Sequence, residues 1–230
     1  MTFNSSNADK YWKEVDSEVR ELSNSKIGIQ KISLHSNESS TVYGLSIESV
    51  GDFNIFAYYS VPSGKGPFPA IFMTPSYQSV TGVPPLNRRK SHVVLAVCVR
   101  GQRLSDSKYK SNFPGLLTDN INNPMKYPFR GISADCLRAA DALFSMNEVD
   151  TANVGVAGIG ELPLIVAALR PKFKVVMTET PFLFNEPFNR LNAKTDYPQE
   201  EYADLLREDP EALGSAQKTV ALFSPQIHCK

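Results

Sequence analysis

The pentapeptide Gly158-Ile159-Gly160-Glu161-Leu162 stands where a strand at 153–157, expected to be buried, runs directly into an apolar helix at 161–169. Glycines at such a corner let the backbone turn sharply, and the middle residue of a G-x-S-x-G corner is lifted clear of the sheet, where a serine hydroxyl can attack a carbonyl. Here the middle residue is Gly160, which has no side chain to attack with. A second chemistry fits the same residues. Gly158 and Gly160 at a helix N-terminus would admit a pyrophosphate, and Glu179, about twenty residues on at the end of the next strand, would bind ribose hydroxyls. Against it, Pro163 stands where a third glycine belongs, Glu161 sets negative charge beside the phosphates, and the unit comes late in the chain.

Other reactive side chains are few. Ser76 follows a predicted strand, but a serine without a base is a weak nucleophile at neutral pH, so it reads as a turn residue bonding its own backbone. Cys98 lies in an apolar strand, Cys136 on a helix and Cys229 beside the last residue, with neither C-x-x-C nor His-rich spacing. That pattern supports neither a disulfide framework nor a zinc site, and the thiols read as buried and free. In an open parallel sheet, active groups gather at the carboxyl ends of strands, where Thr74, Arg100, Gly160 and Glu179 emerge. His92 and His228 are expected at the opposite, amino ends of strands, and His35 in the N-terminal lead-in, so none is positioned as a base.

These groups must be held by a scaffold, and the hydrophobic pattern outlines it. Residues 7–23 place Tyr11, Trp12, Val15, Val19 and Leu22 at helical spacing. Segments 41–50 and 53–61 alternate apolar and polar around Gly51-Asp52, a hairpin signal. Continuous apolar runs at 69–73 and 92–99 predict strands covered on both faces, hence a parallel sheet. Residues 105–128 are rich in Asn, Pro and Ser without periodicity and read as a long surface loop. A helix at 132–146 follows, then the strand–helix–strand unit ending at 173–178. Residues 181–198 are aromatic and Pro-rich, 200–213 helical and acidic, and 216–223 a short helix.

The fold class is therefore α/β, and one domain over 1–230 accounts for the chain, with a helical lead-in at 1–30 and a cap-like insertion at 181–213. A domain of this size buries roughly 70% of its unfolded surface. Basic and acidic residues balance at 24 each and are scattered, so no nucleic-acid or anionic-membrane surface is expected. The polar start lacks a secretory apolar core, and the longest apolar run, 93–99, is far too short to span a bilayer, so a cytoplasmic protein is expected.

Several segments in order resemble the acetyl xylan esterase and cephalosporin-C deacetylase family of α/β-hydrolases. They are the hairpin ahead of Gly66-Pro67-Phe68-Pro69-Ala70, the motif Arg100-Gly101-Gln102, the helix Ala134-Asp135-Cys136-Leu137-Arg138-Ala139-Ala140-Asp141, the stretch Glu148-Val149-Asp150-Thr151-Ala152-Asn153-Val154-Gly155-Val156, and Thr180-Pro181-Phe182-Leu183. The resemblance implies an esterase that removes acetyl groups from sugars or small esters, needing no cofactor or metal, in ring-like homo-oligomers. Its nucleophile falls on Gly160. The glutamine that follows, which frames the oxyanion hole, falls on Glu161, where a carboxylate would repel a developing oxyanion. The second donor, the backbone N–H of a tyrosine, falls on Tyr77. Ser76, Gln102, Pro181 and Phe182 are expected around the pocket, and Arg100 as a tie between loops.

The family's aspartate and histidine come from loops after further strands, whereas this sequence runs only to Ser224-Pro225-Gln226-Ile227-His228-Cys229-Lys230. The expectation is an esterase scaffold, truncated relative to the family, that is catalytically inactive as given. The alternatives are a non-catalytic ligand- or partner-binding module on that fold and the dinucleotide reading. A truncated sheet would also expose an edge and apolar faces.

Overall fold

The computed structural model describes residues 5–77, 81–105, 109, 115–181, 183–192 and 194–228. The chain begins with helix α1 (Ser5–Glu21), then strands β1 (Gly28–Lys31), β2 (Ser40–Ser49), β3 (Phe53–Pro62) and β4 (Phe68–Met73). The short helix α2 (Leu86–Arg89) leads into β5 (Val93–Cys98), α3 (Pro128–Ser145), β6 (Val149–Ile159), α4 (Leu162–Leu169) and β7 (Val175–Glu179). Helices α5 (Glu200–Glu208), α6 (Leu213–Ala221) and α7 (Pro225–His228) complete it.

The seven strands form one sheet in the order β1-β2-β3-β5-β4-β6-β7. The alternating segments pair antiparallel, Ser40 opposite Pro62 through Ser49 opposite Phe53, with left-handed backbone at Gly51 and Asp52 making the turn. β3 then pairs antiparallel with β5, after which β5, β4, β6 and β7 are mutually parallel. All four parallel strands therefore point their carboxyl ends the same way, which brings Thr74, Val99, Gly160 and Thr180 to one rim.

β5 is buried at every position because both of its faces are covered. Val93, Leu95 and Val97 enter the main core with Phe72, Leu137 and Ile165, while Val94, Ala96 and Cys98 face the other side of the sheet. α1 lays Ala8, Tyr11, Trp12, Val15 and Val19 onto that core at helical spacing. It is tied down by Trp12 Nε1 donating to the Leu222 carbonyl at 2.8 Å, and by two arginines. Arg130 Nη1 meets Glu18 Oε2 at 2.7 Å, and Arg170 joins Asp16 and Asp141 at 2.6 Å each.

Four expectations change. Residues 115–127 are not a surface loop: Leu117, Thr118, Asp119, Ile121 and Tyr127 are buried, with the Tyr127 hydroxyl donating to the Leu117 carbonyl at 2.8 Å. Side chain-to-backbone bonds replace secondary structure there, so no periodicity marks the burial. The following helix starts at Pro128, where proline suits a first turn. His228 ends a short helix, not the start of a strand. Finally, β6 is only half buried and β7 is the sheet's outer strand, with Val175, Val176 and Met177 exposed. Among the described residues no helix is long and apolar enough to cross a membrane.

Candidate functional site

At the strand-to-helix corner Gly160 takes φ +86°, in the left-handed region that side chains rarely occupy. Its N–H donates to the Glu179 carbonyl at 2.8 Å, and its carbonyl accepts from the Thr178 hydroxyl, so the corner is locked to the end of β7. A Cβ on Gly160 would sit 3.6 Å from Leu183 Cδ1, an ordinary contact; the constraint is torsional, not spatial. At Gly158 the reverse holds. A Cβ there would lie 2.0 Å from Thr74 Oγ1, so glycine lets β6 pass the end of β4.

Beside the corner is a small, mainly apolar cavity of about 30 Å³, walled by residues that include Ser76, Tyr77, Gln102, Phe129, Glu161 and Phe184. That volume holds about one or two water molecules. It draws one wall from each carboxyl-end loop, as expected of a site in an open parallel sheet.

Glu161 is the group whose placement differs most from expectation. As the residue before α4 it is only 1% exposed, turned inward. Its Oε1 accepts from the Phe184 N–H at 2.9 Å, and its Oε2 has no hydrogen-bond partner. Burial pushes its pKa up from 4.5 to about 7, against the opposing pull of the Phe184, Glu161 and Leu183 N–H groups and of Arg190. The carboxyl thus bridges the corner to the segment after β7, accepting backbone N–H bonds beside the cavity.

The opposite wall is also held by a carboxylate. The Tyr77 hydroxyl donates to Glu201 Oε1, while Leu117 N–H donates to Glu201 Oε2 at 2.9 Å. Burial, then the bond to Glu201, raises the Tyr77 phenol far above its ordinary value, and burial raises Glu201 as well. A Cβ on Gly115 would meet the Glu201 carboxyl at 2.6 Å, so glycine makes room for it. Tyr77 stacks on Phe129 with rings 5° from parallel. Sequence reasoning missed Glu201, because an acidic helix ordinarily faces water; the one signal was the aromatic Tyr202 beside it, which is fully buried.

The remaining expected site residues divide. Ser76, Tyr77, Gln102 and Glu161 share the cavity wall, and Gln102 Oε1 accepts from Val99 N–H at 3.2 Å. Arg100 turns away from the cavity. Its guanidinium chelates Asp135 at 2.8 and 2.9 Å, donates to the Val50 carbonyl at 3.0 Å and lies 4.1 Å over the Phe53 ring. Pro181 lies outside the wall, and Phe182 outside the described residues. Glu179 meets the corner through its backbone carbonyl.

No histidine lines the cavity. His35 offers its carbonyl to Arg89, His92 shares a contact with Ser91, and His228 packs edge-on against Trp12. Cys98 and Cys136 are buried free thiols, the former pushed up to about 12 by burial; Cys229 lies outside the described residues. No group of three or more metal-ligating side chains occurs among the described residues.

A mixed sheet with an antiparallel lead-in, four parallel strands and a glycine corner between strand and helix defines the α/β-hydrolase class. A family model for acetyl xylan esterase (AXE1) matches residues 3–221, and the chain belongs to that family. It is 24% identical over 197 residues to acetyl esterase Axe7A of Xylanibacter ruminicola, which is 79% of this chain and 45% of that protein. The chain therefore spans under half the length of that curated relative. Acetyl xylan esterase 1 from Thermoanaerobacterium sp. JW/SL YS485 superposes with a TM-score of 0.83 at 25% identity, over 97% of this chain and 74% of that one. The acetyl xylan esterase from Paenibacillus sp. R4 shares the fold with a TM-score of 0.80 at 23% identity, over 95% and 74%.

Proposed function

We propose that this protein is an acetyl-xylan-esterase-type α/β-hydrolase that does not cleave esters through a serine nucleophile. The observation that carries the reading is Gly160, held at φ +86° at the corner where the family's attacking hydroxyl would stand. Two features support it. Glu161 sets a carboxyl against the N–H groups beside the corner, where a developing oxyanion needs donors instead. Ser76 lines the same cavity with no histidine in its wall to take a proton.

The ligand class this reading implies is an acetylated carbohydrate or small ester, bound by the site rather than hydrolysed by it. We read residues 1–230 as one unit, with 1–30 as the lead-in and 181–213 as a cap, because Leu183 and Phe184 line the cavity and the buried Glu201 of α5 accepts from Tyr77 in its wall. The dinucleotide reading has less support. Gly158 is accounted for by its contact with Thr74, and a pyrophosphate at the α4 N-terminus would meet the Glu161 carboxyl.

Labelling with a fluorophosphonate, read by intact-protein mass spectrometry, tests the proposal. No adduct is expected on the native protein; a stoichiometric adduct on Ser76 or any other serine near the cavity would overturn it.

A further inference from the structure

Glu201, near the start of α5, is 5% exposed and joins two other segments to that helix. Its Oε1 accepts from the Tyr77 hydroxyl and its Oε2 from the Leu117 N–H at 2.9 Å. The Leu117 N–H also reaches the Tyr77 oxygen, at 3.2 Å. Tyr77 and Leu116, the neighbour of Leu117, are walls of the cavity beside the corner. One carboxyl group therefore fastens two cavity walls, from the loop after β4 and from the segment before α3, to α5.

α5 has little else to hold it. Of its nine residues only Glu201 and Tyr202 are buried, and elements with few buried apolar contacts open at low cost. Tyr202 donates to the Leu183 carbonyl at 3.2 Å, meets Tyr127, and sets its ring 5.0 Å from that of Phe188. The firmly pinned chain ends just before: Phe184 donates its N–H to Glu161 and packs 4.8 Å from Phe129, whereas Glu186 turns into the left-handed region at φ +48°. Residues 187–208 thus form a strap across the rim, and Glu201 is its carboxyl tie to the walls.

The cavity of about 30 Å³ admits one or two water molecules, whereas clefts for small molecules enclose roughly 300–1,000 Å³. A rim that faces a sugar or small ester must therefore widen before it binds one. We infer that Glu201 is the latch of this strap: when its bonds to Tyr77 and Leu117 break, α5 lifts from the rim and the cavity opens between the Tyr77 and Leu116 walls and Phe184. The inference rests on the reading of this rim as ligand-facing, and adds the element that admits the ligand.

The test is alkylation by iodoacetamide, at mildly alkaline pH, of a thiol introduced into the cavity wall by Ile132→Cys and located by peptide mass spectrometry. Ile132 is 3% exposed, so a thiol in its place reacts when the cavity opens, while the buried Cys98 and Cys136 report any wider unfolding. Adding Glu201→Ala is expected to speed that alkylation about ten-fold, the scale set by hydrogen bonds to a charged group, with Cys136 unchanged. Tyr77→Phe, which keeps the ring on Phe129 and removes only the hydroxyl, should give about three-fold. The two changes together should be no faster than Glu201→Ala alone, because both break the same bond. A rate unmoved by Glu201→Ala, effects that multiply, or Cys136 reacting in step with the cavity thiol would overturn the inference. Should Glu201→Ala not fold, Tyr77→Phe decides alone. Alkylation reads opening and not ester chemistry, so a fluorophosphonate adduct would sink the serine-free reading and leave the latch standing.

Discussion

At Gly160 and Glu161 the decisive properties are a torsion angle and a burial, of which only the first can be read from residue type. A glycine in the middle of Gly158-Ile159-Gly160 predicts positive φ, and +86° is observed. Gly160→Ser is expected to cost about 1–2 kcal/mol in urea denaturation, since a side chain in the left-handed region is strained although the space is open. It should gain no esterase activity, because no histidine reaches the cavity. The direction of the Glu161 side chain is not legible in the sequence: charge suggests an outward carboxylate, whereas the Phe184 N–H draws it in. Its pKa is raised in the fold, so it favours folding fully below the ordinary value of 4.5, and that contribution is lost as pH rises to about 7. Relative to Glu161→Gln, the native protein should therefore lose about 3 kcal/mol of stability between roughly pH 4.5 and 7, with no further change above. Urea midpoints of the two proteins across that range check the sign.

Elements meet at the rim through tight approaches that only small residues allow. Gly158 passes Thr74, whose buried hydroxyl has no partner, so Gly158→Ala should cost about 1–3 kcal/mol and Thr74→Ala should relieve part of it in a double-mutant cycle. Additive effects would show that the two strand ends do not touch as described. Arg100 ties the β2–β3 turn to α3 through the fully buried Asp135, and Gly131 gives it room, a Cβ there falling 2.3 Å from the guanidinium. Arg100→Met would strand the Asp135 charge and is expected to cost about 3–5 kcal/mol. Strands and helices were legible where apolar residues recur with period 2 or 3.6. β1 was not, because its four residues are all exposed, and residues 115–127 were not, because hydrogen bonds to Tyr77, Glu201 and Tyr127 bury them without any period.

Over the whole molecule, the order of motifs conveyed the α/β-hydrolase sheet, while which of its strands would be exposed did not follow from sequence. Ile159, Val175, Val176 and Met177 form apolar surface around the outer strand β7, whose free backbone edge favours pairing with other chains. Replacing Val175 and Met177 by lysine should reduce concentration-dependent light scattering without changing the far-UV spectrum; unchanged scattering would dissociate that edge from any self-association. Whether this esterase scaffold works without a serine is read out by turnover of p-nitrophenyl acetate. The predicted result is a rate no higher than buffer, unaffected by a serine-directed phosphonate. Turnover well above buffer that the phosphonate abolishes would contradict it.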